Sequence, residues 1–401
     1  MLNKLIVLTA LLISSMFAQN IDDVVRNVLT KNYTIKALEN SINITKEQIA
    51  LATKWKNPSL SFGITDIQFD NITKRDLEPM QTQSIGLSQI IPLGNKLEIQ
   101  KKIAKDNFEI SKYAKEDKKL QFKSKIYEYI YNIKLLEERL TLFNQFKSNT
   151  KKLEDLLEEL YKYNRANQAQ LLNTKIMYQE LNLKSQKLQA MINTLNLKLQ
   201  QITYSKIENV YFDSKLKSKK LLEEIDKHPK ILTLIQTSQK FNSISQLEKE
   251  KKNSDIKMNL SYFQRDSKFE DFVNISFAIP LSIYGSEDIK SKKAKFKEIE
   301  LNHKLEDMKL TFKNKVKTFQ QNIDDALITY NIIKKDILPK FNQLQKIIEN
   351  YNSFSSYKNM DSKALITNLN EIIKYELKAI DEKEKYFTAL AKSTYFTKEI
   401  L

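Results

Sequence analysis

Glycine is almost absent from this chain, and what little there is falls in or beside two short stretches. Gly63, Gly86, Gly94 and Gly285 are the only four in 401 residues, and Pro58, Pro79, Pro92 and Pro280 sit with them. Everywhere else the backbone has scarcely a residue that would end a helix, and Lys, Leu, Ile, Asn and Glu dominate. The sequence therefore predicts very long helices interrupted by two non-helical islands.

Both islands alternate with period two. From Asn57 the chain reads Pro-Ser-Leu-Ser-Phe-Gly-Ile, which puts Leu60, Phe62 and Ile64 on one side and Ser59, Ser61 and Gly63 on the other. After a polar loop a second strand runs roughly from Gln81 to Ile91, with Ile85 and Leu87 set against Ser84, Gly86 and Ser88. The second island repeats the scheme with Met258, Leu260 and Tyr262, then Val273, Ile275, Phe277 and Ile279. Each island is thus a β-hairpin. Both close on the same word, Ile91-Pro92-Leu93 and Ile279-Pro280-Leu281, before a lysine-rich helix.

The helices carry stripes. Between Lys96 and Tyr163, Ile126, Ile130, Ile133, Leu140, Phe143, Leu153, Leu156 and Leu160 recur every three or four residues, and a helix of that length would reach roughly 100 Å. In the return helix Leu188, Ile192, Leu195, Leu199 and Ile202 step four, three, four, three, which is coiled-coil spacing. The second half repeats the pattern from about Glu287 to Tyr351 and from Asp361 to Thr397, with Pro339 breaking the hydrogen-bond ladder. The two helical turns also align, Asn164 to Asn173 with Asn359 to Asn368. The whole is an internal duplication. A first repeat covers 19–205, with its β-hairpin at about 57–92 and its helical hairpin at about 94–205. A linker at 206–217 leads to a second repeat at 218–401, with a β-hairpin at about 256–281 and a helical hairpin at about 284–400.

Lys4, the apolar run Leu5 to Leu12 and a polar stretch ending at Ala18 have the layout of a secretory signal peptide over 1–18. The run is too short to span a bilayer, which takes about 20 residues. Any membrane insertion must then use strands, and a transmembrane barrel starts at about eight of them. Four strands per chain would have to be shared: three chains give twelve. The fold class expected is therefore mainly α with a small β part, with long coiled-coil hairpins in two tandem repeats and a β-hairpin in each that contributes to a trimeric 12-stranded transmembrane barrel.

The order of these words resembles the outer-membrane efflux protein (TolC) family: the strand entry Asn57-Pro58-Ser59-Leu60, the exit Leu87-Ser88-Gln89 to Pro92-Leu93-Gly94, His228-Pro229 opening the second half, Ile279-Pro280-Leu281, and Leu338-Pro339 about twenty residues before the second turn. The resemblance covers nearly the whole mature chain, and the Leu-Ser-Gln to Pro-Leu-Gly exit is closest in form to the cation-efflux, CzcC-like branch. It implies a homotrimeric exit duct in the bacterial outer membrane, with a long periplasmic part, serving a tripartite efflux or type I secretion system. The partners implied are outer-membrane lipid, a periplasmic adaptor (membrane fusion) protein and an inner-membrane pump of the RND or ABC class. Carried over by position, Asn164, Arg165, Ala166, Leu171 and Leu172 match the family's first tip motif, and Asn359, Ala364, Ile366 and Asn368 the second. The family usually has glycine where Asn164 stands and often an aspartate near Gln170 and Leu365, which leaves Asp361 as the candidate charge at a pore constriction.

Other chemistry finds little support. His228 and His303 stand far apart with no paired-ligand spacing, there is no cysteine, and the eight methionines do not cluster, so no metal or cofactor is expected. The acids are strewn along helices among lysines, with no phosphate loop and no nucleophile elbow, which speaks against an enzyme. The formal charge of +17 is spread over helical faces without aromatic interleaving, so no nucleic-acid partner is expected. The alternative function is a periplasmic coiled-coil adaptor or structural protein of an export complex; it would show one helical hairpin and a glycine-rich domain, where this chain has two hairpins and almost no glycine.

Overall fold

In the computed structural model, residues 19–163, 166–207, 210–354 and 362–397 are described. The predicted signal peptide and the candidate residues Asn164, Arg165, Asn359 and Asp361 lie outside them. In chain order the elements are β1 (Gln19–Asn20), α1 (Ile21–Lys31), α2 (Tyr33–Leu51), β2 (Ser59–Thr65), β3 (Thr82–Ile91), α3 (Lys96–Lys162), α4 (Gln168–Thr203), β4 (Val210–Tyr211), α5 (Pro229–Glu250), β5 (Ile256–Gln264), β6 (Phe272–Ala278), α6 (Ser286–Ile332), α7 (Leu338–Phe354) and α8 (Ser362–Thr397). The chain is mostly helical with a small sheet, as its glycine distribution predicts, and none of the described helices is long and apolar enough to cross a membrane. The described residues form two compact units: one lies within Met1–Lys36, Glu116–His228 and Lys309–Leu401, the other within Ala37–Lys115 and Pro229–Met308.

The first unit is held by aromatic side chains. Tyr131 lies within ring contact of Tyr127, Phe212 and Phe387 at 5.7, 5.2 and 5.1 Å, and Phe212 meets Phe387 edge-on at 4.8 Å. His228 is fully buried between Phe312 and Tyr395, and its Nε2 is 2.8 Å from the Tyr395 carbonyl. Beside these clusters, α3 and α8 exchange ion pairs: Arg139 with Asp381 and Glu384 at 2.5 and 3.3 Å, Glu138 with Lys383 at 2.6 Å, and Glu128 with Lys392 at 3.3 Å. The coiled-coil spacing of α4 buries Leu188, Ile192 and Leu199 and half-buries Leu195 and Ile202.

Three local features of this unit follow from backbone chemistry. Pro339 has no N–H to give and its ring would strike the carbonyl four residues back, so the helix widens into a π turn at Ile333–Ile337, where Leu338 N–H reaches Ile333 O. Asn32 joins α1 to α2: its side-chain oxygen accepts from the N–H groups of Thr34 and Ile35, and its amide donates to Ile202 O at 3.0 Å. The segment between β4 and α5 has little regular structure yet is pinned, because Gln320 donates to Lys219 O and accepts from Leu221 N–H, and the Tyr386 hydroxyl donates to Lys217 O. A short parallel pairing of β1 with β4 completes the unit.

The second unit combines one antiparallel sheet, in the order β2-β3-β5-β6, with helix segments that meet through small and polar groups. Ser238 donates to Asn302 at 2.6 Å, Ser245 and Ser291 exchange hydrogen bonds at 2.9 and 3.0 Å, and Gln236 donates to Asp106 at 2.7 Å. The strand exit is fixed by Gly94, whose φ of +70° turns Asn95 N–H toward the Glu250 carboxylate at 3.1 Å. A side chain there would run into that carboxylate. Lys96 then binds Asp255 and the Asn253 carbonyl, which ties the start of α3 to the entry of β5.

Candidate functional site: a two-faced β-sheet

Side chains directly opposite one another on paired strands point to the same face. The register therefore sorts the sheet into rows. On one face stand Leu60–Leu87–Leu260–Ile275 and Phe62–Ile85–Tyr262–Val273, flanked toward the helices by Gln89–Met258–Phe277 and toward the loops by Ile64–Gln83–Gln264. On the other stand Ser59–Ser88–Asn259–Ser276 and Ser61–Gly86–Ser261–Asn274, then Gly63–Ser84–Phe263–Phe272 at the loop end. The sheet is one continuous four-stranded surface because β3 pairs with β5 over nine residues, so the two hairpins are joined.

Apart from Met258, which is half-buried, every predicted membrane-strand residue is exposed: Leu60, Phe62, Ile64, Ile85, Leu87, Leu260, Tyr262, Val273, Ile275 and Phe277, with Phe62 at 75% and Phe277 at 63%. A contiguous apolar surface of this kind is costly in water and marks a binding face or a membrane. Charge is withheld from the same region. Lys257, at the helix end of β5, is the single ionisable Asp, Glu, Lys or Arg side chain in the four strands, in a chain where such residues make up 29%. Strands of seven to ten residues at about 3.3 Å each reach roughly 23–33 Å, which matches an apolar band about 25 Å tall.

The opposite face carries mainly hydroxyls and amides, with Lys257 at its helix end. Ser61 and Ser84 donate to the carbonyls of Gly86 and Gly63, and Asn259 donates to Ser276 Oγ at 3.2 Å. Its centre is tight, since a Cβ on Gly86 would meet the hydroxyls of both Ser61 and Ser261. At the loop end Phe263 and Phe272 stack at 4.7 Å, and the Arg265 guanidinium lies 4.7 Å from the Phe272 ring. Beyond the strands, Lys268 joins Asp76 at 2.8 Å and so links the two hairpin loops. That hydrogen bond and the lysine's charge lower the Asp76 carboxyl below its ordinary value and raise the Lys268 ammonium. Trp55, just before β2, is 54% exposed.

The described candidate tip residues belong to the first unit. Asn167 and Gln170 form a reciprocal capping box at the start of α4. Ala166 and Leu171 are half-buried, and Leu172 is 51% exposed. On α8, Ala364 and Ile366 are half-buried. Asn368 is buried, with its amide donating to Gln345 at 2.7 Å and to Phe341 O at 3.3 Å, so it joins α8 to α7. Among the described residues no group of three or more His, Asp or Glu side chains converges as a metal site would require.

No protein-family model matches this sequence, and no curated protein matches it by sequence. Solved structures do match, over nearly the whole chain, and they define the class: this is the fold of the TolC-type outer-membrane channels. The outer-membrane channel CmeC of Campylobacter jejuni superposes with a TM-score of 0.76 at 13% identity, covering 94% of this chain and 85% of that one. CusC, described as forming a transmembrane channel, gives 0.73 at 13% identity over 95% and 92%. The open state of the Neisseria gonorrhoeae MtrE outer-membrane channel gives 0.68 at 13% identity over 94% and 88%.

Proposed function

We propose that three copies of this chain form an exit duct in the bacterial outer membrane, through which an efflux or type I secretion system passes its cargo. One observation carries the reading: a sheet whose apolar face is exposed, whose other face is mainly polar with Lys257 as its single charge at the helix end, and whose outer strands β2 and β6 have no strand partner on their outer sides among the described residues. In hydrocarbon every backbone group must be paired, so such edges are tenable only if neighbouring copies close them. Three copies supply twelve strands, with the Leu60 and Phe62 rows toward lipid and the serine and asparagine rows toward a water-filled bore.

In this reading the long hairpins extend the bore into the periplasm and the two helical turns meet a periplasmic adaptor, which links the duct to an RND or ABC pump. Leu171, Leu172, Ala166, Ala364 and Ile366 offer the apolar part of that docking face. Asn164, Arg165 and Asn359 would add its polar part, while Asn368 would hold the second helix pair together behind it. Asp361 is the candidate charge where the bore narrows. The pump supplies the energy and the selection, so the duct itself catalyses nothing. The two repeats, 19–205 and 218–401, would each contribute one hairpin of every kind.

The deciding experiment is single-channel recording in a planar bilayer, with the oligomeric mass measured in detergent. A trimer that inserts and conducts supports the duct. A monomer that never inserts would overturn the barrel and favour a periplasmic adaptor.

A further inference from the structure

A groove opens on the first unit between α3, α6 and α8. Its floor is aromatic: Phe319 and Phe396, with ring centroids 5.7 Å apart, and Tyr395, whose hydroxyl is already engaged by Asp117 at 2.7 Å. The cavity measures about 430 Å³. That lies within the roughly 300–1,000 Å³ typical of small-molecule sites. Three lysines, Lys125, Lys315 and Lys392, line it with one carboxylate, Glu128. Lys392 is neutralised by Glu128 at 3.3 Å. Lys125 and Lys315 are exposed and have no carboxylate within ion-pair distance among the described residues, and the Lys315 ammonium stands 5.6 Å from the centre of the Phe396 ring.

We infer that this groove binds a small amphiphilic anion, a carboxylate or sulfonate carried on an aromatic or alkyl body. The head group would sit with Lys125 and Lys315, in a groove whose three lysines face one carboxylate, Glu128, and the body would lie on Phe319 and Phe396. A cation is disfavoured by the same two ammonium groups, and a neutral molecule of the same shape keeps only the apolar contact. The inference concerns the first unit alone and holds or fails whether or not the chain conducts.

The test is calorimetric titration of naphthalene-2-sulfonate into the full chain in an uncharged detergent, with protein-free micelles as the blank and 2-naphthylmethanol as the neutral counterpart. One saturable site per chain is expected. Affinity should fall about tenfold in Lys125→Gln/Lys315→Gln, as expected for loss of charged hydrogen-bond donors, and return in Lys125→Arg/Lys315→Arg. The arginine pair also controls for a glutamine variant that fails to fold. Competition by dodecanoate beyond that by 2-naphthoate would identify the ligand as lipid-derived; the reverse order would identify it as a water-soluble aromatic acid. Binding no greater than the micelle blank, equal affinity for 2-naphthylmethanol, or affinity unchanged in a folded glutamine variant would overturn the site.

Discussion

The two units of this chain solve the same problem, holding long helices side by side, with opposite chemistry. In the first, rings fill the space: Tyr127, Tyr131, Tyr386, Phe387 and Phe396 are all buried. In the second, the buried helix positions include Ser238, Ser243, Ser245, Ser291 and Asp106, with Ala104, Ile231, Ala294 and Leu301 among the apolar ones. Many of its large apolar side chains stand instead on the open face of the sheet. The contrast shows where each unit draws its stability. Rings contribute through buried area and are intolerant of cavities, whereas paired hydroxyls contribute little net energy but fix separation and register.

The largest effect expected from this comparison is in the first unit. Phe387 is 4% exposed and touches Tyr131, Phe212 and Tyr386. Phe387→Ala should cost about 3–5 kcal/mol, because neighbouring rings on two sides cannot collapse into the space left. Denaturant midpoints of wild type and variant in detergent measure it, and a loss under about 1 kcal/mol would show that the aromatic cluster is looser than its ring contacts indicate.

Next comes the sheet, where the sign of the effect depends on the solvent. Leu260 stands in the middle of the exposed apolar face. If that face meets lipid, Leu260→Lys should destabilise the bilayer-embedded protein by about 2–4 kcal/mol. On a face that meets water the same change would be neutral or favourable. Unfolding from phospholipid vesicles distinguishes the two, and Ser261→Lys on the opposite face is the matched control, expected to cost less. A smaller effect should follow from overfilling the helix contacts of the second unit. Ser291 is 2% exposed, with its Oγ 2.9 Å from Ser245 Oγ. Ser291→Leu should cost about 1–3 kcal/mol by forcing the helices apart. A stable Ser291→Leu protein would mean that the serine pair lies in a gap rather than a close contact.

How far the sequence foretold this depends on the length over which a pattern repeats. The long helices were legible because nothing between Lys96 and Lys162 can stop one, and the strands because Leu60, Phe62 and Ile64 alternate with serine and glycine over several residues. The β1–β4 pair was not legible, since two residues carry no period. Nor could Pro339 announce that the helix would widen into a π turn at Ile333–Ile337 rather than end. Asn368 aligns with Asn173 as a turn residue, yet is buried against α7; alignment of two turns says nothing about which side faces a partner. Lys125 and Lys315 read as members of a solvated face, and only the structure shows that they line one groove with Phe319 and Phe396.

Asp106 gives the smallest expected effect and the most particular one. In the sequence it is one more carboxylate on a lysine-rich helix, four residues after Lys102, but in the structure it is 6% exposed and its Oδ2 has no hydrogen-bond partner. Burial raises its pKa above the ordinary value of 3.8, against the opposing hydrogen bond from Gln236 and the charge of Lys102. The folded state thus holds a proton more tightly than the unfolded chain does. Stability contributed by that proton is complete below the unfolded pKa and is lost as pH rises through the window between the ordinary and the raised value. Asp106→Asn keeps the acceptor that Gln236 needs and removes the charge, so at neutral pH it should stabilise the chain by on the order of 1 kcal/mol. On acidification through that window the advantage over wild type should shrink. Thermal midpoints of the two proteins at neutral and mildly acidic pH supply the test. A difference that stays constant with pH would mean that the carboxylate titrates normally, and that the polar seam of the second unit is wetter than its buried serines indicate.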